Sequence, residues 1–321
     1  MVYTPNLDKV IKEYEHKKGE NGLPLARAIS VVIPNRNELP EKAVNTMIYS
    51  ARANMLALTN YGIQDRIIER VCLSDQSDDN YARKTKERLE REVEEVGNEF
   101  NSAGCGNLLP EMSYFRIGNE MKDFILKDWN QVPGLSQLKR HINHKGELYG
   151  KGLNMYLSSM LIGVGEGDPN SAVLFLDADY RNRSAQQILG LSLPLSHMNY
   201  AAVTGTFNRY HKTEGGMERG GRVNAGTRAL FDMLAVASLM NERGYPLCGD
   251  QGSTFDILKN LRWPMEFGIE SAWRIQFHSY VNGFNREIPL LKNRSSLQVD
   301  IREVMMFRLE KENLRRKSLK V

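Results

Sequence analysis

At 321 residues the chain is long enough for two ordinary domains or one large α/β unit, and its 41% hydrophobic and 26% charged residues match a packed globular protein rather than a disordered one. The formal net charge of +4 is too small to argue for nucleic-acid binding, and it resides in the tail, where seven basic residues stand against three acidic ones from Arg302 to Val321. The three cysteines, Cys72, Cys105 and Cys248, are odd in number and lack CxxC spacing, which argues against a disulfide framework or a thiolate zinc site and for a reducing cytoplasm.

Residues 1–27 read as a short, charged helical arm with no apolar signal core, and no run approaches the roughly 18 apolar residues of a membrane span. The expectation is a chain without an integral membrane segment. Ala28 to Pro34 is a β-branched run stopped by proline, the pattern of a strand buried on both faces. Pro40 to Leu58 has helical spacing, and Ile67 to Leu73 reads as a second strand ending in the polar cluster Ser74 to Asn80. Tyr81 to Val96, dense in Lys, Arg and Glu, reads as a solvated helix with a thin apolar stripe.

Between Gly97 and Gly150 the pattern is weaker, with a strand at Tyr114 to Ile117 and a helix at Met121 to Trp129. Lys151 to Ile162 is an amphipathic helix, and Ala172 to Leu176 is a buried strand ending on Asp177-Ala178-Asp179. Helices are predicted near Gln186 to Leu191, Asn224 to Met240, Gln251 to Leu261 and Ile269 to Tyr280, with a strand at Ala201 to Gly205. Strands alternating with helices imply a mostly parallel sheet with right-handed crossovers. The layout is an α/β fold: one Rossmann-like domain over 28–295, followed by a basic C-terminal helix over 296–321.

Ligands of open α/β sheets gather beyond the carboxyl ends of the strands, where βα loops and helix N-termini converge. Three loops qualify: Pro34-Asn35-Arg36-Asn37-Glu38, Asp75 to Asn80, and Asp177-Ala178-Asp179. The last is the sharpest signal. Two carboxylates one residue apart repel unless a cation or donor-rich ligand compensates them, and a hard divalent ion, Mg²⁺ or Mn²⁺, is a natural remedy because it bridges to phosphate oxygens. The bland alternative is a helix cap at Asp177 with Asp179 solvated.

Gly150-Lys151-Gly152 opens a helix with a lysine available to a phosphate, although it lacks the P-loop spacing and a plain turn would look alike. Gly215 to Asn224 is a glycine-rich basic loop before a helix, and Arg222 is its best anion ligand. Asp250, between Gly249 and Gln251, reads either as a helix N-cap or as a site carboxylate. No histidine pair has metal-binding spacing; His278 is the only candidate third ligand, and a packed histidine is the commoner explanation.

Together these segments resemble a known family. Val31 to Glu38, Asp75 to Asp79, Gly150-Lys151-Gly152, Leu174 to Asp179, Gly220-Gly221-Arg222-Val223 and Pro246-Leu247-Cys248-Gly249-Asp250 follow the order seen in GT-A fold glycosyltransferases, particularly the retaining glucosyl-3-phosphoglycerate synthase group. The similarity spans about residues 28 to 275. It implies transfer of a hexose, with glucose from UDP-glucose the leading case, from a nucleoside diphosphate sugar to 3-phosphoglycerate or a similar small phosphorylated acid. A divalent metal and a compatible solute as product are implied with it.

By the same resemblance Pro34, Asn35, Asn37, Glu38 and Ser77 belong to the base and ribose pocket, and Lys151 approaches the donor. Asp177, Ala178 and Asp179 hold ribose and metal, Gly221 and Arg222 bind the acceptor's acid group, and Asp250 faces the transferred sugar. Asn224 stands where the family has a small hydroxyl residue, Asp250 replaces a glutamate, and the region after His278 matches poorly. Two rival readings stay open: a transferase using a polyprenyl-phosphate acceptor at a membrane surface, suggested by a tail stripe of Ile301, Val304, Met305 and Leu309, and a nucleotide-sugar binding protein without turnover. The tail otherwise packs on the body or on a second copy of the chain in a homodimer.

Overall fold

A computed structural model describes residues 27–117, 150–166, 171–179, 183–198, 200–206, 210–213, 216–219, 248–258 and 296–300, with isolated helical positions between 10 and 16 and between 269 and 276. The chain opens with β1 (Ile29–Asn35), α1 (Pro40–Tyr61), β2 (Ile68–Asp75), α2 (Asp79–Ser102), a single 3₁₀ turn and β3 (Glu111–Arg116). It continues with α3 (Lys151–Glu166), β4 (Ala172–Phe175), α4 (Ala185–His197), β5 (Ala202–Thr206), β6 (Tyr210–Thr213), β7 (Gly216–Arg219), β8 (Gln251–Thr254), α5 (Phe255–Leu258) and β9 (Ser296–Asp300).

Seven strands form one sheet in the order β3-β2-β1-β4-β8-β5-β9, and β6 with β7 makes a separate antiparallel pair. Neighbours on the β1 side are parallel, as βα crossovers require, while β8 runs antiparallel to both β4 and β5. Both faces are covered. Ile29, Val31 and Ile33 enter a core with α1 and α4, whereas Val32 enters a second core with Leu153, Phe175 and Trp273. This two-sided burial is why β1 reads as an unbroken apolar run instead of an alternating one.

Three sequence expectations change. The helix expected over Gln251 to Leu261 begins instead as a strand, Gln251–Thr254, with helix only at Phe255–Leu258. Gly, Ser and Thr are weak helix formers, and in this stretch the two ladders to β4 and β5 satisfy the backbone. Asp250 is therefore not the N-cap of a helix starting at Gln251. Second, Ser296–Asp300, placed in the C-terminal helix by sequence, adds to β5 as a parallel strand; its Ser-Leu-Gln-Val-Asp alternation suits a strand. Third, Gly216–Arg219 of the glycine-rich stretch is not loop but pairs with Tyr210–Thr213.

The expected helices at Met121 to Trp129 and Asn224 to Met240 lie outside the described residues, as do Gly221, Arg222, His278 and residues 301–321. Ile269, Ala272, Trp273 and Gln276 are helical, as predicted for that stretch. Helix α4 runs past Leu191 through an internal Pro194 to His197, and it starts at a capping box in which Ser184 and Gln187 exchange side-chain and backbone hydrogen bonds. Among the described residues no helix is long and apolar enough to cross a membrane.

Burial also sets the cysteine chemistry. All three cysteines are buried, and desolvation pushes the Cys72 thiol up to about 12 against a smaller lowering by a hydrogen bond with Ser113.

Candidate functional site

The site is assembled at the carboxyl ends of β1, β2 and β4. Beyond β1 and β2 the loops are tied into one unit around Asp75. Its Oδ1 accepts from the Asn35 side-chain amide at 3.0 Å and from the Ser77 N–H at 2.8 Å, and its Oδ2 accepts from the Tyr114 hydroxyl at 3.0 Å. The Ser77 hydroxyl in turn accepts from the Asn37 N–H at 2.7 Å, and Asn37 and Asp78 exchange a pair of hydrogen bonds at 3.0 and 2.8 Å. Asn37 holds φ at 53°, a conformation asparagine tolerates better than most residues.

Asp75 is completely buried, and the sequence reading did not single it out within the acidic cluster. Burial, followed by the Asp75 charge and hydrogen bond, pushes the Tyr114 hydroxyl well above its ordinary range, so it stays a donor to Asp75. One atom is left over: Asn35 Oδ1 is buried and has no hydrogen-bond partner, because its amide nitrogen is committed to Asp75 and Ser77. Pro34 and Glu38 border this loop, both partly exposed, with Glu38 lying 3.5 Å from Lys42.

Beyond β4 the acidic turn is held from three sides. Asp177 is 8% exposed, and its Oδ1 is ion-paired with the Lys151 ammonium at the start of α3. Gly150, just before, adopts φ 124°, a backbone conformation that side-chain-bearing residues rarely take, and this brings the α3 terminus to the turn. The Asp177 N–H donates to Asp250 Oδ1 at 3.0 Å. Gly249 lies against the Asp177 carboxylate so closely that a β-carbon there would overlap both oxygens. Ala178 is buried and Asp179 is exposed.

Asp250 is itself locked. Arg183 grips its carboxylate with two hydrogen bonds, 2.5 Å to Oδ2 and 2.8 Å to Oδ1, and donates a third, at 3.1 Å, to the Asp177 carbonyl. The side chains of this pair are 1% and 0% exposed. Planar guanidinium geometry suits such a bidentate grip, and full burial strengthens it while making either partner alone costly. Arg183 and Gly249 were not among the residues expected at the site; an arginine four residues after Asp179, with Arg181 beside it, carries no sequence signal of its own.

Lys151 thus supplies at Asp177 part of the charge compensation that sequence reasoning assigned to a metal. Among the described residues no three His, Cys, Asp or Glu side chains cluster tightly enough to cage an ion. The exposed Asp179 carboxylate does fit a hard ion of the Mg²⁺ or Mn²⁺ kind, which is commonly bound by one or two carboxylates plus substrate phosphates.

Asn35, Asn37 and Ser77, expected at a donor pocket, are brought together by direct hydrogen bonds, and Lys151, Asp177 and Asp250 form a second connected group. A buried bridge fixes α3 relative to β2: Asn154 and Ser158 hydrogen-bond Ser74, with the Asn154 amide donating to the Ser74 carbonyl at 3.0 Å.

No protein-family model matches the sequence, and no curated protein matches it. Among solved structures, glucosyl-3-phosphoglycerate synthase from Mycobacterium tuberculosis with Mn²⁺, UDP and phosphoglyceric acid aligns at 18% identity and TM-score 0.48, covering 91% of this chain and 72% of that one. Its complex with Mn²⁺, UDP-glucose and phosphoglyceric acid aligns at 20% identity and TM-score 0.48, covering 91% and 74%. A further structure, described as that of a mycobacterial protein, aligns at 19% identity and TM-score 0.50, covering 91% and 69%. At these identities the similarity is one of fold.

Proposed function

We propose that the protein is a retaining hexosyltransferase, taking glucose or a related hexose from a nucleoside diphosphate sugar and delivering it to 3-phosphoglycerate or a similar small phosphorylated acid. The observation that carries this reading is the acidic turn at the end of β4, clamped by Lys151, Gly249 and the Arg183–Asp250 pair so that Asp179 alone is presented to solvent. A rigid scaffold with one exposed carboxylate suits a diphosphate-bridging ion better than a closed metal cage.

In this reading the nucleoside sits over the Asn35–Asn37–Ser77 loop, where the buried, unpartnered Asn35 Oδ1 would accept from a base N–H once the loop admits it. Asp179 would hold a Mg²⁺ or Mn²⁺ ion, whose charge would offset that of the leaving diphosphate. Lys151 holds Asp177 in place and adds positive charge to the same corner. Asp250, with both oxygens engaged by Arg183, acts as a positioning residue for the Asp177 backbone. Gly221 and Arg222, carried over from the motif resemblance, are proposed to bind the acceptor's phosphate or carboxylate, and His278 remains a proposed third metal ligand. Retention follows if the departing phosphate accepts the acceptor's proton on the face it leaves; held geometry supplies the acceleration.

Screening UDP- and GDP-hexoses against phosphorylated three-carbon acids, with Mg²⁺ or Mn²⁺ and with chelator, tests the reading. The expected result is metal-dependent release of nucleoside diphosphate and an α-linked product by NMR from an α-linked donor. Absence of transfer with every pair, together with no thermal shift by any nucleotide sugar, overturns it.

A further inference from the structure

We propose that Gln251 is the residue that reads a hydroxyl of the transferred sugar, an assignment that rests on the nucleotide-sugar reading above and deepens it. Gln251 is fully buried, yet neither its amide nitrogen nor its amide oxygen has a hydrogen-bond partner. A buried primary amide left unpaired forfeits the hydration of two donors and an acceptor, and native proteins seldom accept this without a reason.

The strand register says where this amide lies. Gln251 is directly opposite Phe175 on β4 and Thr204 on β5. Opposed residues in antiparallel ladders share a face, so Gln251 stands on the side where Phe175 meets Trp273 edge to face, with ring centroids 5.7 Å apart. Two positions along the same ladders stand the apolar Val173 and Ala202, and the buried Thr204 directly opposite on β5 does not pair with the amide. It is also adjacent in sequence to Asp250, whose carboxylate receives the Asp177 N–H.

Topology selects the sugar over the other parts of the donor. The sheet order β2-β1-β4-β8 sets the proposed nucleoside loops, the acidic turn and Gln251 on successive strands. At about 4.8 Å per strand the span from β2 to β8 is about 14 Å, and a nucleoside, a diphosphate and a sugar laid in series fill it in that order. A sugar hydroxyl both donates and accepts, which an amide answers with its oxygen and nitrogen together. Because the amide is enclosed, a hydroxyl reaches it only when part of the surrounding wall moves aside, so sugar binding is coupled to local opening.

The test is Gln251→Leu, repeated as Gln251→Met, measured for thermal stability and for affinity toward UDP and UDP-glucose separately. Removing an unpaired buried amide raises Tm, while UDP-glucose affinity falls about tenfold relative to wild type and UDP affinity stays within about twofold. A lowered Tm in both variants, the mark of an amide paired by buried water, overturns the proposal. So does a raised Tm with unchanged UDP-glucose affinity. If the wild-type chain binds neither UDP nor UDP-glucose, nor the corresponding GDP pair, the nucleotide-sugar reading itself fails, and this assignment fails with it.

Discussion

The carboxylate of Asp177 occupies the space that a side chain on Gly249 would need. Two segments more than seventy residues apart in sequence therefore meet without a gap, and the acidic turn is immobilised by the absence of a side chain as much as by ionic contacts. The glycine before Asp250 is a steric requirement of Asp177.

Gly249→Ala should displace the Asp177 carboxylate from Lys151 and lower hexosyl transfer at least a hundredfold, while Tm falls by only a few degrees because the sheet register is untouched. Activity and calorimetry on the same preparation check this. An active alanine variant would show that Asp177 can move without consequence.

Arg183→Met or Asp250→Leu alone strands a buried charge and should cost about 3–5 kcal/mol in urea unfolding. The double variant, Arg183→Met with Asp250→Leu, should recover most of that stability, since replacing a buried ion pair by apolar groups is often neutral. Transfer should stay low in the double variant, because the Asp177 N–H has lost its acceptor. Recovery of activity along with stability would remove the pair from the positioning of the acidic turn.

Asp179→Asn should leave the unfolding curve unchanged, as expected of an exposed side chain. Mn²⁺ binding followed by electron paramagnetic resonance in the presence of nucleoside diphosphate should weaken at least tenfold. Unaltered Mn²⁺ affinity would exclude Asp179 as the anchor.

His197, at the end of α4, is buried, with its Nδ1 2.7 Å from the Ser196 hydroxyl and Asp65 3.8 Å from Nε2. Burial depresses its pKa, and the Asp65 charge opposes this in part. The unfolded chain, where the imidazole titrates near about 6.5, then binds more protons than the folded one, so stability is full above that pH and declines as the pH falls toward the lowered folded value. Urea midpoints between pH 7.5 and 5 should show this decline, and His197→Asn should flatten it. An identical slope in the variant would assign the acid sensitivity to other groups.

The short patterns survived folding best. The apolar runs at β1 and β4 and the polar stretches after β1, β2 and β4 were legible because a strand buried on both faces, and a loop at its carboxyl end, each leave a composition that chain position alone reveals. Local reading failed where the partner was distant. Gln251–Thr254 looks helical by its neighbours, and only the gap between β4 and β5 makes it a strand.

What sequence alone determined here is the alternating α/β plan and the identity of the loops that carry Asn35, Ser77, Asp177 and Asp179. Tertiary structure alone decided how those charges are balanced: Lys151 on Asp177, Arg183 on Asp250, Asp75 at the hub of the first loop, and an amide at Gln251 with no partner. The reason is physical. Hydrophobic periodicity is a property of near neighbours along the chain, whereas hydrogen bonding and ion pairing depend on separations of about 3 Å between groups that the chain brings together only after the sheet has closed.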